Sequence, residues 1–289
     1  MSKRVRIIAD TGSDLPQSLC KQRGIELVGM GVEIDGVARN GLQVSAAEVY
    51  QKMREGSVPH TSQVSYTDLE AIVKKTIERG EIAYYVCFSS RLSGSYQTGH
   101  MLKQELNHPD FILFDTKAAS IGLGMMVLEA AEMAENGESA EKITERLEYL
   151  SGRMEHIFAV DDLVYLKRGG RISSMKAIIG GMLKIKPILH FIDGAIHQFD
   201  KARSTKQVIG RMVDIMAERA DDIDSQKVIG ISHADCPDVA EELKKAIVDR
   251  FGQKEFIVHE IGPVIGAHAG PGTIALFFFS KKQGGGLEA

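Results

Sequence analysis

Short apolar segments of strand length alternate along this chain with segments that carry helical periodicity. Ile82–Phe88 is apolar throughout, as is typical of a parallel strand buried on both faces. Just before it, Leu69, Val73 and Ile77 recur at every fourth position, which indicates the buried face of a helix. The alternation continues to the last apolar run, Ile274–Phe279. It predicts an α/β fold in which helices flank a mainly parallel sheet.

The same pattern begins again in the second half of the chain. The chain has 289 residues, a length at which a single hydrophobic core reaches its practical limit. After Gly152 a new strand is predicted at 157–160, and strands and helices alternate from there. We therefore predict two α/β domains, at residues 1–152 and 153–281. Residues 282–289 are rich in glycine and predict a flexible tail.

Composition argues against several classes of protein. Lysine and arginine number 35 against 39 acidic residues, and the net charge of −4 does not favour nucleic-acid binding. The apolar runs are far shorter than the roughly 18–20 residues of a bilayer-spanning helix, and no signal peptide is evident. Cys20, Cys87 and Cys236 are odd in number and far apart, so no disulfide framework is expected. These features predict a soluble, cytoplasmic protein without an integral membrane segment.

Common catalytic and cofactor motifs are missing from the sequence. The nine histidines form neither His-x3-His nor His-Glu-x-x-His, so no metal site is expected. Gly169-Gly170 and Gly180-Gly181 lack the spacing of phosphate or dinucleotide loops, so no nucleotide cofactor is expected either. There is no Gly-x-Ser-x-Gly elbow, although Leu92–Ser95 follows a buried strand and opens a helix in a similar way.

The junction at Phe88–Gln97 is the most informative segment. A buried strand ends there and a helix begins, which is where ligands usually bind in open α/β sheets. The start of the helix offers free N–H groups, several hydroxyls and Gly94, where the backbone can approach a ligand closely. A carboxylate or a phosphate would suit such a place. The alternative is that Ser93 only caps the helix.

Other polar clusters have two interpretations each. His60–Ser65 and Asp10–Asp14 both precede predicted helices, and capping by Ser65 and by Ser13 or Asp14 explains them. Tyr165–Ile172 places three cations around a glycine pair and predicts either an anion site or a solvated loop. Gly262–Gly272 predicts a rigid loop of glycine and proline around His268, whose role is either structural or ligand-binding.

Six segments together resemble the DegV family, the bacterial fatty-acid-binding proteins that serve as the lipid-carrying subunit of fatty acid kinase. The segments are Ala9–Pro16, Thr61–Gln63, Leu92–Gln97, Tyr165–Ile172, Leu183–Leu189 and Gly262–His268. The resemblance covers nearly the whole length, from about Val5 to Phe279. Two positions depart from the commonest family pattern, because Val64 stands where proline is frequent and Ser95 where threonine is frequent.

The resemblance implies a two-domain fold with a long-chain fatty acid, such as palmitate, in a tunnel between the domains. It implies that Thr61 and Ser93 hold the carboxylate, with Ser62 and Gly94 alongside and His268 nearby. Two arginines of the family motifs would lie near the carboxylate or on the surface that meets the kinase. These are Arg171 and Arg203.

The resemblance also implies a function without stand-alone catalysis. A separate ATP-dependent kinase subunit would phosphorylate the bound carboxylate, and the acyl phosphate would supply phospholipid synthesis. Two other functions stay open at this point. One is a serine hydrolase or acyltransferase that uses Ser93 with His268, and the other is a regulatory protein whose lipid is incidental.

Overall fold

The computed structural model describes residues 3–172, 185–221, 226 and 228–281. The short helix predicted at 174–182 and the predicted tail at 282–289 lie outside these residues. The strands of the described part, β1 to β13 in chain order, are Val5–Asp10, Glu26–Val28, Met30–Ile34, Val37–Asn40, His60–Val64, Ile82–Cys87, Phe111–Asp115, Met154–Ala159, Lys186–Ile192, Ala195–Ala202, Ile229–His233, Phe256–Glu260 and Ile274–Phe279.

The helices of the described part divide between the two halves of the chain. In chain order, α1 to α10 are Gln17–Gln22, Ala46–Arg54, Tyr66–Glu78, Ser95–Leu106, Ser120–Glu135, Ala140–Ser151, Val164–Arg168, Thr205–Arg219, Pro237–Phe251 and Pro263–Ala269. Ser45, Ser65 and Ser204 cap α2, α3 and α8, because each hydroxyl accepts a backbone N–H three residues later. This confirms the predicted cap at Ser65 and the caps that the Ser-x-x-Glu and Ser-x-x-Gln patterns at Ser45 and Ser204 predict.

The first sheet has the strand order β2-β1-β6-β7, and every pair in it is parallel. The prediction of a parallel sheet flanked by helices is therefore confirmed. β6 is buried at every position after Ile82, as its unbroken apolar run predicts for a strand covered on both faces. Its carboxyl end leads directly into the loop at 88–94.

The second sheet has the order β10-β9-β8-β13-β11-β12 and is mostly antiparallel. The Asp-Gly pair at residues 193 and 194 predicts a tight hairpin turn, and β9 and β10 form that hairpin, in which both residues have the positive φ that such a turn requires. The strands of the two large sheets use residues 5–115 and 154–279. The domain boundary after residue 152 stays a prediction.

Helix α5 lies between the two large sheets and contacts strands of both. It is apolar on nearly all sides, as a helix buried all round must be. Gly122 lies against His156 and Phe277 of the second sheet, whereas Gly124 lies against Leu15 on the other side. These glycines let the helix approach both neighbours closely, and they bring its first residues between the sheets.

The third sheet is small, antiparallel and ordered β4-β3-β5, and the sequence patterns did not predict it. Its strand β5 carries Thr61 and Ser62, which belong to the polar cluster His60–Ser65 that capping by Ser65 alone would explain. The cap itself is Ser65, and Thr61 lies on a strand opposite Val32. The polar sequence of β5 has no apolar alternation, so only its pairing with β3 identifies it as a strand.

Three further expectations were wrong in detail. Gly262–Gly272 is not a loop throughout, since residues from Pro263 to Ala269 form helix α10 with proline in its first turn. Of the two interpretations given for the cation-rich segment at 165–172, the solvated loop is wrong for its first residues, which lie in helix α7. Asp14 does not cap α1, because its side chain instead accepts hydrogen bonds from Ser120 and Gly262.

No helix in the described part of the chain has the length and apolar character needed to cross a membrane.

Candidate functional site

A cavity of about 340 Å³ lies where the three sheets meet. Its wall includes residues of β5, the loop after β6, the start of α5, β8 to β11, α10 and β13. The volume is in the range of small-molecule sites, and most of the wall is apolar. The residues that form its apolar part include Met30, Phe88, Leu92, Phe158, Leu166, Phe191, Ile196, Ile261, Val264, Ile265, Ala275 and Phe277.

His156 belongs to this apolar wall although histidine is polar. Its Nε2 accepts the N–H of Ala119 at 3.1 Å, and its Nδ1 lies 3.3 Å from the carbonyl oxygen of Met154. Burial lowers the pKa of His156 to about 4, so the ring is neutral near pH 7. The ring stacks on Phe191 at 4.3 Å and meets Phe277 edge-on at 5.4 Å. His156 therefore presents an aromatic surface to the cavity.

A polar group occupies one part of the wall and contains five predicted site residues. Thr61, Ser62, Ser93, Gly94 and His268 all line the cavity. They come from β5, from the junction before α4 and from α10. The structure thus brings together residues that lie up to 207 positions apart in the chain.

Thr61 and His268 form a direct pair. The Thr61 Oγ1 and the His268 Nε2 are 2.6 Å apart. Burial, and then the nearby charge of Arg171, lower the pKa of His268 to about 4, so the ring is neutral near pH 7. Among the described residues, the buried His268 Nδ1 has no hydrogen-bond partner. A buried N–H without a partner is costly, so we assign the proton to Nε2. Thr61 then accepts from His268 and keeps its own O–H for a ligand.

The residues before α4 are held by hydrogen bonds to one another. The Ser93 Oγ accepts the Ser95 N–H at 3.2 Å and lies 3.0 Å from the Ser95 Oγ. Gly94 is the N-terminal cap residue of α4, and a Cβ built there would lie 1.8 Å from the Gln63 Oε1. A side chain at position 94 would therefore displace the amide of Gln63. The free N–H groups of the first turn favour an anion beside these hydroxyls.

The two predicted arginines lie in different places. Arg171 lines the cavity, and its guanidinium donates to the carbonyl oxygens of Leu92, at 3.0 Å, and Gly169. Arg203 is exposed between β10 and α8, its backbone N–H donates to Gln207, and it is not part of the cavity wall. Only Arg171 is therefore placed to act on a ligand in the cavity.

The geometry does not form the catalytic arrangement of a serine hydrolase. Ser93 bonds to Ser95, and His268 bonds to Thr61, so the nucleophile and the base do not contact each other. No carboxylate of the described residues orients the His268 Nδ1. A Ser-His pair oriented by an acid, the basis of that mechanism, is absent from these residues. The described residues also hold no cluster of three metal-ligating side chains.

The polar wall residues that were not predicted as site residues include Gln63, Ser120 and Ser232. Gln63 donates to Thr98 at 2.8 Å and so ties β5 to α4. Ser120 and Ser232 contact each other from α5 and β11. Gln63 could have been predicted, because it directly follows the predicted site residues Thr61 and Ser62. No pattern in the sequence distinguishes Ser120 and Ser232 from other serines.

Comparison with known proteins supports the resemblance seen in the sequence. A family model described as "Uncharacterised protein, DegV family" matches residues 4–281. A DegV domain-containing protein of Clostridium perfringens is 36% identical over 289 residues, covering 97% of this chain and 99% of that protein. A fatty-acid-binding DegV family protein of Thermus thermophilus is 31% identical with a TM-score of 0.89, covering 96% of this chain and 99% of that one. The fatty acid binding protein DegV of Bacillus subtilis is 26% identical with a TM-score of 0.86, covering 97% and 100%. The chain therefore belongs to the DegV family.

Proposed function

We propose that this protein binds a long-chain fatty acid in the cavity and carries it without performing catalysis itself. The observation that carries this proposal is an apolar cavity whose wall contains one group of hydroxyls, a neutral histidine and an arginine. A fatty acid has the matching chemistry, since it is an anion attached to a hydrocarbon chain. The solved relatives from Thermus thermophilus and Bacillus subtilis, which are described as fatty-acid-binding, support the same ligand class.

The two parts of the ligand contribute differently. At roughly 0.8 kcal/mol per buried CH₂, a chain of about 16 carbons contributes on the order of 10 kcal/mol before the costs of association. Thr61, Ser93 and the N-terminus of α4 would hold the carboxylate through hydrogen bonds, with Arg171 as the nearby positive charge. We infer that the chain supplies most of the affinity and that the polar group fixes the orientation.

The second part of the proposal concerns a partner. We propose that a separate ATP-dependent kinase phosphorylates the bound carboxylate and that the acyl phosphate supplies phospholipid synthesis in the cytoplasm. A surface groove shares Thr61, Arg171 and His268 with the cavity, which supports access to the carboxylate from outside. Arg168 lies in the same groove, and Arg203 is exposed, so both are candidates for contact with the kinase.

Ligand binding is tested by native mass spectrometry of the purified protein, followed by denaturing extraction. We expect one added mass that matches a long-chain fatty acid. Thr61→Val keeps the shape of the side chain but removes its hydroxyl, and Ser93→Ala removes the other. Each should weaken the binding of a fluorescent fatty acid by about 1–3 kcal/mol, or roughly 5- to 150-fold.

Thr67→Val is the matched control, because Thr67 is exposed on α3 and is not part of the cavity wall. It should bind as the wild type does. Protein that carries no lipid and takes up none would overturn fatty-acid binding.

Kinase coupling is tested separately, by hydroxamate trapping of acyl phosphate from loaded protein, ATP and candidate kinases. Acyl-ester turnover or fluorophosphonate labelling by the protein alone would instead favour a hydrolase using Ser93.

A further inference from the structure

The cavity wall contains a second polar group apart from the one around Thr61. Ser120 and Ser232 both line the cavity, and their Oγ atoms are 3.0 Å apart. The Ser120 hydroxyl also donates to the Asp14 Oδ2 at 2.5 Å. None of the hydrogen bonds of this group involves Thr61 or His268. The two serines and Asp14 form what we call the serine relay.

Asp14 determines the direction of this relay when it is a carboxylate. Its other oxygen, Oδ1, accepts the N–H of Gly262 at 2.9 Å. Because the Ser120 proton is directed to Asp14, Ser120 accepts the proton of Ser232. The lone pairs of the Ser232 Oγ then remain as acceptors beside the cavity, since a hydroxyl can accept two hydrogen bonds.

Other polar side chains in this part of the wall have their hydrogen bonds satisfied locally. The Thr273 hydroxyl lies 2.9 Å from each of two backbone carbonyl oxygens, those of Ala269 and Gly270. Both nitrogens of His156 contact backbone groups. Ser232 differs from them, because its one hydrogen-bond contact among the described residues is another hydroxyl of the wall. It is fully buried on β11.

A plain hydrocarbon chain leaves this acceptor without a partner. The Ser232 hydroxyl keeps its hydrogen bond to Ser120, but an apolar chain offers nothing for its remaining lone pair to accept, and alanine of nearly the same size would present an apolar wall instead. A hydroxyl on the chain would donate to the Ser232 Oγ and would also satisfy its own polarity. A hydroxyl on the chain suits the relay whether Ser232 donates to Ser120 or accepts from it, since a hydroxyl both donates and accepts.

We propose that the serine relay is a subsite for a hydroxyl group on the acyl chain, so that the cavity accepts a hydroxylated long-chain fatty acid. This inference rests on the proposed function, because it assumes that an acyl chain occupies the cavity. The ligand's carboxylate is held at Thr61, so the distance from Thr61 to Ser232 selects the position of the hydroxyl along the acyl chain.

The test compares stearic acid with hydroxystearic acids that carry the hydroxyl at different positions along the chain. Each is measured by displacement of a fluorescent fatty acid from the wild-type protein. We expect one isomer to bind at least as tightly as stearic acid. The others should bind roughly tenfold or more weakly, because their hydroxyl is buried without a partner. In Ser232→Ala the favoured isomer should weaken about tenfold, whereas stearic acid should bind equally or more tightly.

Ser13→Ala is the matched control, since Ser13 is buried beside Asp14 but its hydroxyl has no partner among the described residues and lies outside the cavity wall. It should preserve the ranking of the isomers. If stearic acid binds but every hydroxylated isomer is weaker, the subsite is overturned and fatty-acid binding stands. If no fatty acid binds at all, the proposed function itself fails. The wild-type ranking decides the question even if Ser232→Ala does not fold.

Discussion

At the scale of the residue, Asp14 illustrates how burial changes the chemistry of an ordinary side chain. The side chain of Asp14 is buried, and its φ of 52° is unusual for a residue other than glycine. The pKa of Asp14 is raised from 3.8 to about 7, mainly by burial and to a smaller extent by the charges of Asp10 and Glu260, while the hydrogen bonds from Ser120 and Gly262 act in the opposite direction. The folded protein therefore binds a proton at this carboxyl that the unfolded chain has released by pH 5.

This shift predicts a pH-dependent effect of Asp14→Asn. A raised pKa in the folded state contributes stability that is complete below about pH 4 and is lost as the pH rises through 7. Asparagine does not titrate, so the variant does not lose stability in this way as the pH rises. The free energy of unfolding of the variant, relative to wild type, should therefore rise between pH 5 and pH 8, by on the order of 2–4 kcal/mol.

Urea denaturation of both proteins at the two pH values measures this difference. Groups that do not interact with Asp14 titrate equally in both proteins, so the subtraction removes their contribution, including that of the buried histidines. A difference that is the same at pH 5 and pH 8 would show that Asp14 takes up no proton on folding.

At the scale of the element, the close approach of α7 and α10 positions the histidine of the site. Gly169 ends α7 with a φ of −72°, so its backbone does not require glycine. A Cβ built there would lie 2.0 Å from the His268 Nδ1, and the side chain of His268 occupies that space. The glycine is therefore needed for the packing of the two helices.

Gly169→Ala should displace His268 from Thr61. We expect the affinity for a fluorescent fatty acid to fall about tenfold, and overpacking to lower the free energy of unfolding by about 1–3 kcal/mol. Gly170→Ala is the matched control: its φ of 70° makes alanine strained, but nothing lies within 4 Å of the added Cβ. It should lose stability and keep its affinity, as titration and denaturation of both variants will show. Equal affinity of the two variants would contradict the role assigned to Gly169.

At the scale of the whole molecule, the cavity connects all three sheets. Its wall is drawn from β5, from β8 to β11 and β13, and from the junction after β6. A ligand in it therefore contacts elements from both halves of the chain, and it binds only when they are assembled. Bound fatty acid should stabilise the entire fold rather than one part of it.

Addition of palmitate to delipidated protein should therefore raise the Tm. At a ligand concentration of about 100 times the Kd, the stabilisation is about 2.7 kcal/mol, which corresponds to roughly 4–5 °C for a chain of this length. Methyl palmitate is the control, since it keeps the hydrocarbon chain but lacks the ionised carboxylate, and it should raise the Tm less. Differential scanning calorimetry measures both, and an equal effect of the two ligands would argue against a carboxylate site.

Much of the architecture is predictable because its signals act over short distances. The apolar run of β6, the serine caps and the hairpin at Asp193-Gly194 each depend on neighbouring residues, and the structure has them where the patterns predict. The strand β5 was not predicted, because its residues are polar and its partner β3 lies about 30 positions earlier in the chain. The site residues themselves were assigned through family resemblance rather than through periodicity.

The sequence alone determined the class of fold and the segments that carry polar groups, because propensity, capping and periodicity are local properties of the chain. Only the tertiary structure decided which of those groups share one cavity. Thr61 meets His268 across 207 positions, Ser120 meets Ser232 across 112, and Arg203 is left outside. Such contacts depend on how the sheets and α5 pack together, and no local pattern in the chain encodes the distance between two side chains on different elements.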